Sequence, residues 1–312
     1  MAHVKQYVFF DFEMLCAEKG MTFEKMEAIR LGAVKYDIET ESTCYFDQYI
    51  RPINRKPLTA FCKKLTGITD ADLAEANDFK TVFEQFLTWV GGVKKSRFFS
   101  WSNSDLTRLK LDAAMHHVPL TTMKKIETRY IDFQAIFTKR VAKNNPSVES
   151  ALGLYGLSFI GEKHHPMYDA YNTLRIYLSF LNKPLESDLL MLKQFVFAEV
   201  PDDRNELNQR LLTMFHKDIT AFFSGLTEMY CMKKDAVKMV RKVRQLVKKY
   251  ENILLNRSGL FSKEIVENVG LLVQFYHDLL IAFEEHHQHS AKLMILDETM
   301  VEPIYDLILK QG

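Results

Sequence analysis

Residues 7–13 read Tyr7-Val8-Phe9-Phe10-Asp11-Phe12-Glu13, a run of aromatic and β-branched residues leading straight into two acidic groups. Such a run suits a short buried strand. Residues i and i+2 of a strand point to the same face, so Asp11 and Glu13 share one side of its end. Two carboxylates held this close repel unless a cation neutralises them, and hard oxygen donors suit Mg²⁺ or Mn²⁺. A polar strand end facing solvent fits the same pattern, so the pair needs support from elsewhere in the chain.

Strand character returns at residues 28–36 (AIRLGAVKY) and 44–50 (CYFDQYI), and the polar stretch 37–43 between them suits a turn. The three runs are expected to be successive antiparallel strands. After Arg51-Pro52 the spacing becomes helical, with Leu58, Phe61, Cys62 and Leu65 on one face, then Phe79, Val82, Phe83, Phe86 and Leu87 on another. Strands at 97–101 and 129–131 then alternate with helices at 106–115, 133–141, 148–154 and 168–181, which describes an α/β domain. Beyond Pro184 the period is helical throughout, with helices expected at 206–223, 235–255 and 263–287. The expected organisation is an α/β domain over 1–183 and an all-helical domain over 184–312.

At 312 residues the chain can bury two cores, and 47% hydrophobic with 26% charged residues excludes a disordered or fibrous chain. A net charge of +1 excludes coating of nucleic acid by a global positive field, while leaving room for a local basic groove. Cys16, Cys44, Cys62 and Cys231 lack the spacing of tetrahedral zinc ligands and read as free, buried thiols of a reducing cytosol. The N-terminal apolar run is cut by Asp11 and Glu13, unlike a secretory segment. Residues 269–283 are broken by Gln274, His277 and Asp278 and read as too short for a bilayer. The expectation is a soluble, cytoplasmic protein with no membrane association.

Asp105 follows the strand at 97–101 and opens a helix, either as a third acidic ligand or as an ordinary N-cap. His164-His165-Pro166-Met167-Tyr168-Asp169 places an imidazole five positions before a carboxylate at a helix start. A neutral imidazole can take a proton from water near neutral pH, the role of a general base. His165 competes with His164 for that role, and a surface histidine with a cap would look the same.

Taken in order, Phe9-Phe10-Asp11-Phe12-Glu13, Trp101-Ser102-Asn103-Ser104-Asp105 and the H-x4-D spacing of His164 and Asp169 resemble the DEDDh, or DnaQ-like, 3′-to-5′ exonucleases. Residues 27–34 (EAIRLGAV) and Leu65-Thr66-Gly67-Ile68 look like that family's second strand and substrate-facing loop. The resemblance runs from about Val4 to Leu181 and is strongest to the Eri-type RNA exonucleases and KapD-like bacterial proteins, through the DFE motif, the LTGI loop and Lys163-His164-His165. It implies an RNase H-like mixed sheet flanked by helices. It also implies two divalent ions, Mg²⁺ or Mn²⁺, held by Asp11, Glu13, Asp105 and Asp169, with His164, favoured by the H-x4-D spacing, as the base. The implied substrate is the 3′ end of single-stranded RNA or DNA, cut to nucleoside 5′-monophosphates. Met14 stands where the family commonly has Thr or Ala, and Pro166 where Ala is usual.

Phe12, Met14, Leu65 and Ile68 are candidate contacts for the terminal nucleotide, since stacking tolerates any base, and are equally candidates for core. Arg51, Arg55, Lys56, Lys63, Lys64 and Lys163 are weaker candidates for phosphate contacts. Lys233, Lys234, Lys238, Arg241, Lys242, Arg244, Lys248 and Lys249 make one late helix strongly basic, with Val237, Val240, Val243, Leu246 and Val247 expected on its buried side. That helix reads first as a solvated face and second as an extension of a nucleic-acid track. His286, His287 and His289 beside Glu284 and Glu285 read as a polar helix end in preference to a metal site. The rival to an enzyme is a regulatory nucleic-acid-binding protein that keeps the fold with little turnover.

Overall fold

The computed structural model describes residues 3–223, 230–255, 257–289 and 292–309. Contacts divide the chain into two compact units, Met1–Lys139 with Asn144–Asn182, and Arg140–Lys143 with Lys183–Gly312.

The first unit runs β1 (Gln6–Met14), β2 (Ala28–Asp37), β3 (Thr43–Arg51), α1 (Ala60–Thr66), α2 (Asp70–Ala74), β4 (Asn77–Asp78) and α3 (Phe79–Val90). It continues with β5 (Ser96–Ser100), α4 (Asn103–Met115), α5 (Leu120–Glu127), β6 (Tyr130–Asp132), α6 (Phe133–Arg140), α7 (Val148–Leu154) and α8 (Pro166–Asn182). The strands form one mixed sheet in the order β4-β3-β2-β1-β5-β6. As expected, β1, β2 and β3 are antiparallel neighbours, and β5 joins β1 in parallel.

The central position of β1 explains its near-continuous apolar run, because both of its faces are covered. Val8, Phe10 and Phe12 enter a core with Phe79, Val82, Phe83 and Phe86 of α3. On the opposite face Tyr7 and Phe9 meet the ring of Tyr177 in α8, at centroid distances of 5.2 and 5.5 Å. The register pairs Asp11 with Gly32 and Glu13 with Arg30, then shifts between Glu13 and Met14. Such an irregularity ends regular pairing and re-aims the chain next to a site.

Gly32 lets α8 approach. A Cβ there would lie 2.0 Å from the backbone nitrogen of Met167, so only glycine allows the start of α8 to lie on β2. Pro166 begins that helix, two residues earlier than the apolar spacing suggested, at a position where proline's missing N–H costs nothing. A second tie is the wholly buried Arg108 of α4. It donates to both carboxylate oxygens of Asp112 at 2.7 and 3.0 Å and to the carbonyls of Phe23 and Met26 at 2.9 Å. Asp112 also accepts from the backbone N–H of Ala28, so α4 holds the loop between β1 and β2.

Two expectations for this unit change. Leu58, just before the seven-residue α1, and Cys62 within it are buried but Phe61 and Leu65 are 42% and 38% exposed, so the four do not share one face. Cys62 is buried, Cys16 is half-buried and Cys44 is exposed near the start of β3. The side chain of Cys231 lies outside the described residues.

The second unit contains α9 (Pro184–Phe195), α10 (Arg204–Phe223), β7 (Tyr230–Met232), α11 (Lys233–Tyr250), α12 (Lys263–Gln288), β8 (Leu293–Ile295) and α13 (Glu298–Leu309). It is not all-helical: β7 and β8 pair antiparallel, with Tyr230 opposite Ile295. Three-residue strands are too short to leave an alternating signal, which is why helical spacing alone was apparent. Its core gathers Leu211, Phe215, Val243, Tyr250, Leu272 and Ile304. The buried side of α11 is Ala236, Met239, Val243, Val247 and Tyr250, whereas Val237 is exposed; α11 ends at Tyr250, and residues to Leu255 form a 3-10 turn. Among the described residues, α12 is long and apolar enough to cross a membrane, contrary to the reading of residues 269–283 as too short. Its Ile265, Val269, Leu272, Phe275 and Leu279 are buried in this unit's core.

Candidate active site

Three elements bring acidic groups to the end of β1. Asp11 and Glu13 project from the face that α8 covers, and Asp169 comes from the first turn of α8. One carboxylate oxygen from each of these three lies within 4.8 Å of the others. Asp105, in the first turn of α4, stands outside that trio but touches it. It is only 4% exposed, accepts from the backbone N–H of Phe12 at 3.2 Å, and lies near enough for its charge to raise the Asp11 carboxyl.

Their electrostatics record a missing positive charge. Burial, then the charges of Asp105, Asp169 and Glu13, holds Asp11 well above the usual carboxylate range. Burial with the neighbouring Asp169 and Asp105 pushes Glu13 up to about 8. Burial raises Asp105 to about 7, against the downward pull of the Phe12 N–H, and raises Asp169 to about 6, against a backbone hydrogen bond from His164.

Arg30 is the cation opposite Glu13, but it is engaged elsewhere. It donates to Asp47 through Nε and Nη2 at 2.8 and 2.6 Å, reaches His165 Nε2 at 2.6 Å, and lies over the Tyr49 ring. Burial by itself would depress this guanidinium; the Asp47 hydrogen bond and charge outweigh it. Four carboxylates, Asp105 buried and the other three half-buried, with no cation dedicated to them among the described residues, suit divalent metal ions.

The two histidines differ. His165 is half-buried, lies tilted against the Tyr168 ring with centroids 4.7 Å apart, and spends Nε2 on Arg30, while its Nδ1 is buried without a partner. Burial and then the Arg30 charge lower its pKa, which keeps it neutral. His164 is exposed, and its backbone sits at φ 62°, in the left-handed region that non-glycine residues avoid. Among the described residues its imidazole has no hydrogen-bond partner.

The remaining sequence candidates separate. Phe12 and Met14 alternate with Asp11 and Glu13 and pack with the α3 core on the opposite face of the sheet. Ile68 is buried with Leu15, Ile29, Leu58 and Cys62. For these three the core role fits, and Leu65 alone is exposed. Lys63 pairs with Asp70 and Lys163 with Glu149, and the Arg51 Nε is buried; Arg55, Lys56 and Lys64 are exposed. His286 is not a loose polar end: Nδ1 meets the Ala282 carbonyl at 2.7 Å and Nε2 accepts from Ile295 N–H of β8. Sequence reasoning missed the Arg30–Asp47–His165 network, for which the available signal was a lone arginine inside the apolar strand AIRLGAV.

A mixed sheet with this strand order, carrying acidic groups from β1, α4 and α8 and a histidine five residues before the last, defines an RNase H-like exonuclease fold of the DEDDh type. The RNase T exonuclease family model matches residues 8–177, more than half of the chain, and the chain belongs to that family. It is 28% identical over 172 residues to the 3′-5′ exonuclease crn-4 of Caenorhabditis elegans, covering 50% of this chain and 56% of the relative. The probable 3′-5′ exonuclease KapD of Bacillus subtilis is 26% identical over 151 residues, covering 48% and 71%. The nuclease domain of 3′hExo, a DEDDh family member solved with rAMP, superposes with a TM-score of 0.53 at 22% identity, covering 59% of this chain and 95% of that one. At that identity the likeness carries the fold alone. The chain spans 56% of the worm relative and 33% of the zebrafish ERI1 exoribonuclease 2.

Proposed function

We propose that the first unit is a metal-dependent 3′-to-5′ exonuclease that trims single-stranded RNA or DNA in the cytoplasm and releases nucleoside 5′-monophosphates. The observation that carries this reading is the meeting of Asp11, Glu13 and Asp169 beside buried Asp105, with no cation dedicated to them among the described residues. These four would hold two divalent ions, Mg²⁺ or Mn²⁺, whose chemistry when bound is to acidify water and to offset charge on the leaving oxygen. His164, exposed and unengaged, takes the proton from the attacking water; His165 is held by Arg30 and orients its surroundings instead. The water oxygen attacks phosphorus in line, the bond to the 3′ oxygen of the preceding nucleotide breaks, and the terminal nucleotide leaves with its 5′-phosphate.

α1 adjoins this strand end, since the Cys62 thiol donates to the Met14 carbonyl at 3.6 Å. Exposed Leu65, with Phe61 one turn earlier, therefore offers an apolar platform for a terminal base. RNA is favoured as substrate by the Eri-type motifs and by the name exoribonuclease that the zebrafish relative carries.

The test is incubation of 3′-end-labelled RNA and DNA oligonucleotides with Mn²⁺, comparing the wild type with Asp169→Ala and His164→Ala. Wild type is expected to release labelled mononucleotide and both variants to lose at least a hundredfold in rate, of the order of about 10²–10⁴ for a lost general base. Intact substrates with the wild type, or variants that cut as fast, overturn the proposal.

A further inference from the structure

The second unit concentrates positive charge on a single helix. Eight of the chain's 41 Lys and Arg residues fall in the 18 residues of α11, against one acidic residue, Asp235, although the whole chain carries only +1. The rest of the molecule is therefore net acidic, and α11 is where an anion would be attracted. The side chains of Lys233 and Lys234 lie outside the described residues. Lys238, Arg241, Lys242, Arg244 and Lys248 are all exposed. Lys238 pairs loosely with Asp235 at 3.4 Å, and Lys249 is held by Asp218 at 2.5 Å. Arg241, Lys242, Arg244 and Lys248 make no ion pair with any described residue. A helix whose charges served only solvation would more often pair them with acidic residues one turn away, and α11 has no acidic residue after Asp235.

Of these four cations, Lys242 lines an open groove between α10 and α11, and Arg241, Arg244 and Lys248 follow on the adjoining exposed face of α11. Asp235, Lys238, Lys242, Gln245 and Lys249 line it from α11, three cations against one carboxylate, and the half-buried ring of Phe222 lines it from α10. Lys238 and Lys249 stand eleven residues apart, about 16 Å along the helix, the length of a short run of nucleotides. Cations along one wall with an aromatic ring on the other are what a groove needs to track a single strand without reading its sequence. A lipid surface fits less well. An interfacial helix inserts its apolar side, and here Ala236, Met239, Val243, Val247 and Tyr250 are already buried in the unit's core.

We infer that the exposed basic face of α11, with the groove beside it, is a second, non-catalytic nucleic-acid site that grips the phosphate backbone of a single strand without base preference. The inference rests on reading the chain as one that acts on nucleic acid. It gives the second unit the task of retaining a polymer whose end is being trimmed.

The test uses the full chain and a quadruple variant, Arg241→Ala, Lys242→Ala, Arg244→Ala and Lys248→Ala. Binding of a labelled 20-nucleotide strand is followed by anisotropy in EDTA as salt is raised, alongside hydrolysis of a trinucleotide with Mn²⁺. Each phosphate contact contributes about 0.7 to the slope of log affinity against log salt for single strands. If all four cations make contact, the variant's slope is shallower by about 2.8, so that between 50 and 200 mM salt the wild type loses about 50-fold more affinity than the variant. Trinucleotide hydrolysis is expected to be unchanged, which also reports that the variant is folded. A second variant, Arg241→Lys with Arg244→Lys, keeps the charge and is expected to bind as the wild type does. Equal affinity and slope for the wild type and the quadruple variant overturn the inference. So does a quadruple variant that keeps the oligonucleotide but loses binding to phosphatidylserine vesicles. If the trinucleotide is not cut while 20-mer binding depends on α11, the exonuclease reading fails and this one stands.

Discussion

Changing Asp169 to Asn removes one of the converging carboxylates without changing its size, and the metal-free protein should become more stable as its activity disappears. The folded structure raises Asp169 from 3.8 to about 6. Each unit corresponds to about 1.36 kcal/mol, so ionising this group in the fold costs roughly 3 kcal/mol at pH 8. Asparagine avoids that cost but keeps an awkward polar group in place, so a net gain of about 1–2 kcal/mol is expected. For a domain of this size that is a rise in Tm of roughly 2–8 °C.

The pH dependence carries the sign. The unfolded chain releases carboxyl protons near pH 4, while the fold retains them until about 6 at Asp169, 7 at Asp105 and 8 at Glu13. Between those limits the folded state binds more protons than the unfolded one, so stability falls as pH rises. It is fully present below about pH 4 and is lost progressively up to about pH 8. The wild type in EDTA should melt at successively lower temperatures from pH 5 to pH 8.5, and Asp169→Asn should fall less. Mn²⁺ should stabilise the wild type increasingly with pH and the variant little. Trp89 and Trp101 are the only tryptophans, and both lie in the first unit, so intrinsic fluorescence follows its unfolding directly. A metal-free variant that melts below the wild type at pH 8, or a wild type indifferent to pH, would show that the acidic groups are not short of a cation.

Other perturbations test neighbouring parts of the same construction. His164→Gly relieves a left-handed backbone, so it should melt no lower than wild type while its turnover falls by about 10²–10⁴; a loss of stability would mean the imidazole is structural. Gly32→Ala drives a Cβ into Met167 and must displace α8, so Asp169 moves away and stabilisation by Mn²⁺, read by fluorescence melting, should vanish; retained activity would refute that packing. Asp112→Ala strands the buried Arg108 charge and should cost about 3–5 kcal/mol in urea unfolding, and a loss below about 1 kcal/mol would mean that Arg108 finds another partner.

Alternation in β1 made both the core and the acidic pair legible, because Val8, Phe10 and Phe12 must face away from Phe9, Asp11 and Glu13. Substrate contact and core stayed equal readings of Phe12 and Met14, and the packing of both with the α3 core, Phe12 buried and Met14 half-buried, fits the core role. What the sequence left open was long-range. Motif spacing set His164 above His165, but nothing local showed that Arg30, 135 residues from His165 in the chain, ties up the His165 ring. Gly32 reads as an unremarkable strand glycine until Met167 arrives against it. Asp105 could be read as a helix cap or as a ligand, and its neighbours, the Phe12 N–H and the Asp11 carboxylate, come from another element.

These long-range features share a physical purpose. The carboxylates repel one another in the metal-free state, so the fold must hold them by forces that do not depend on their own charge. Aromatic packing of Tyr177 against Tyr7 and Phe9 fixes α8 on the sheet, and the absence of a side chain at Gly32 sets how closely its first turn approaches. The Arg108–Asp112 pair anchors α4, from which Asp105 projects, to the loop that leaves β1. The acidic site is thus preorganised by neutral packing and a remote ion pair. An arriving cation meets donors already in position, and its binding energy can offset the repulsion instead of ordering the chain.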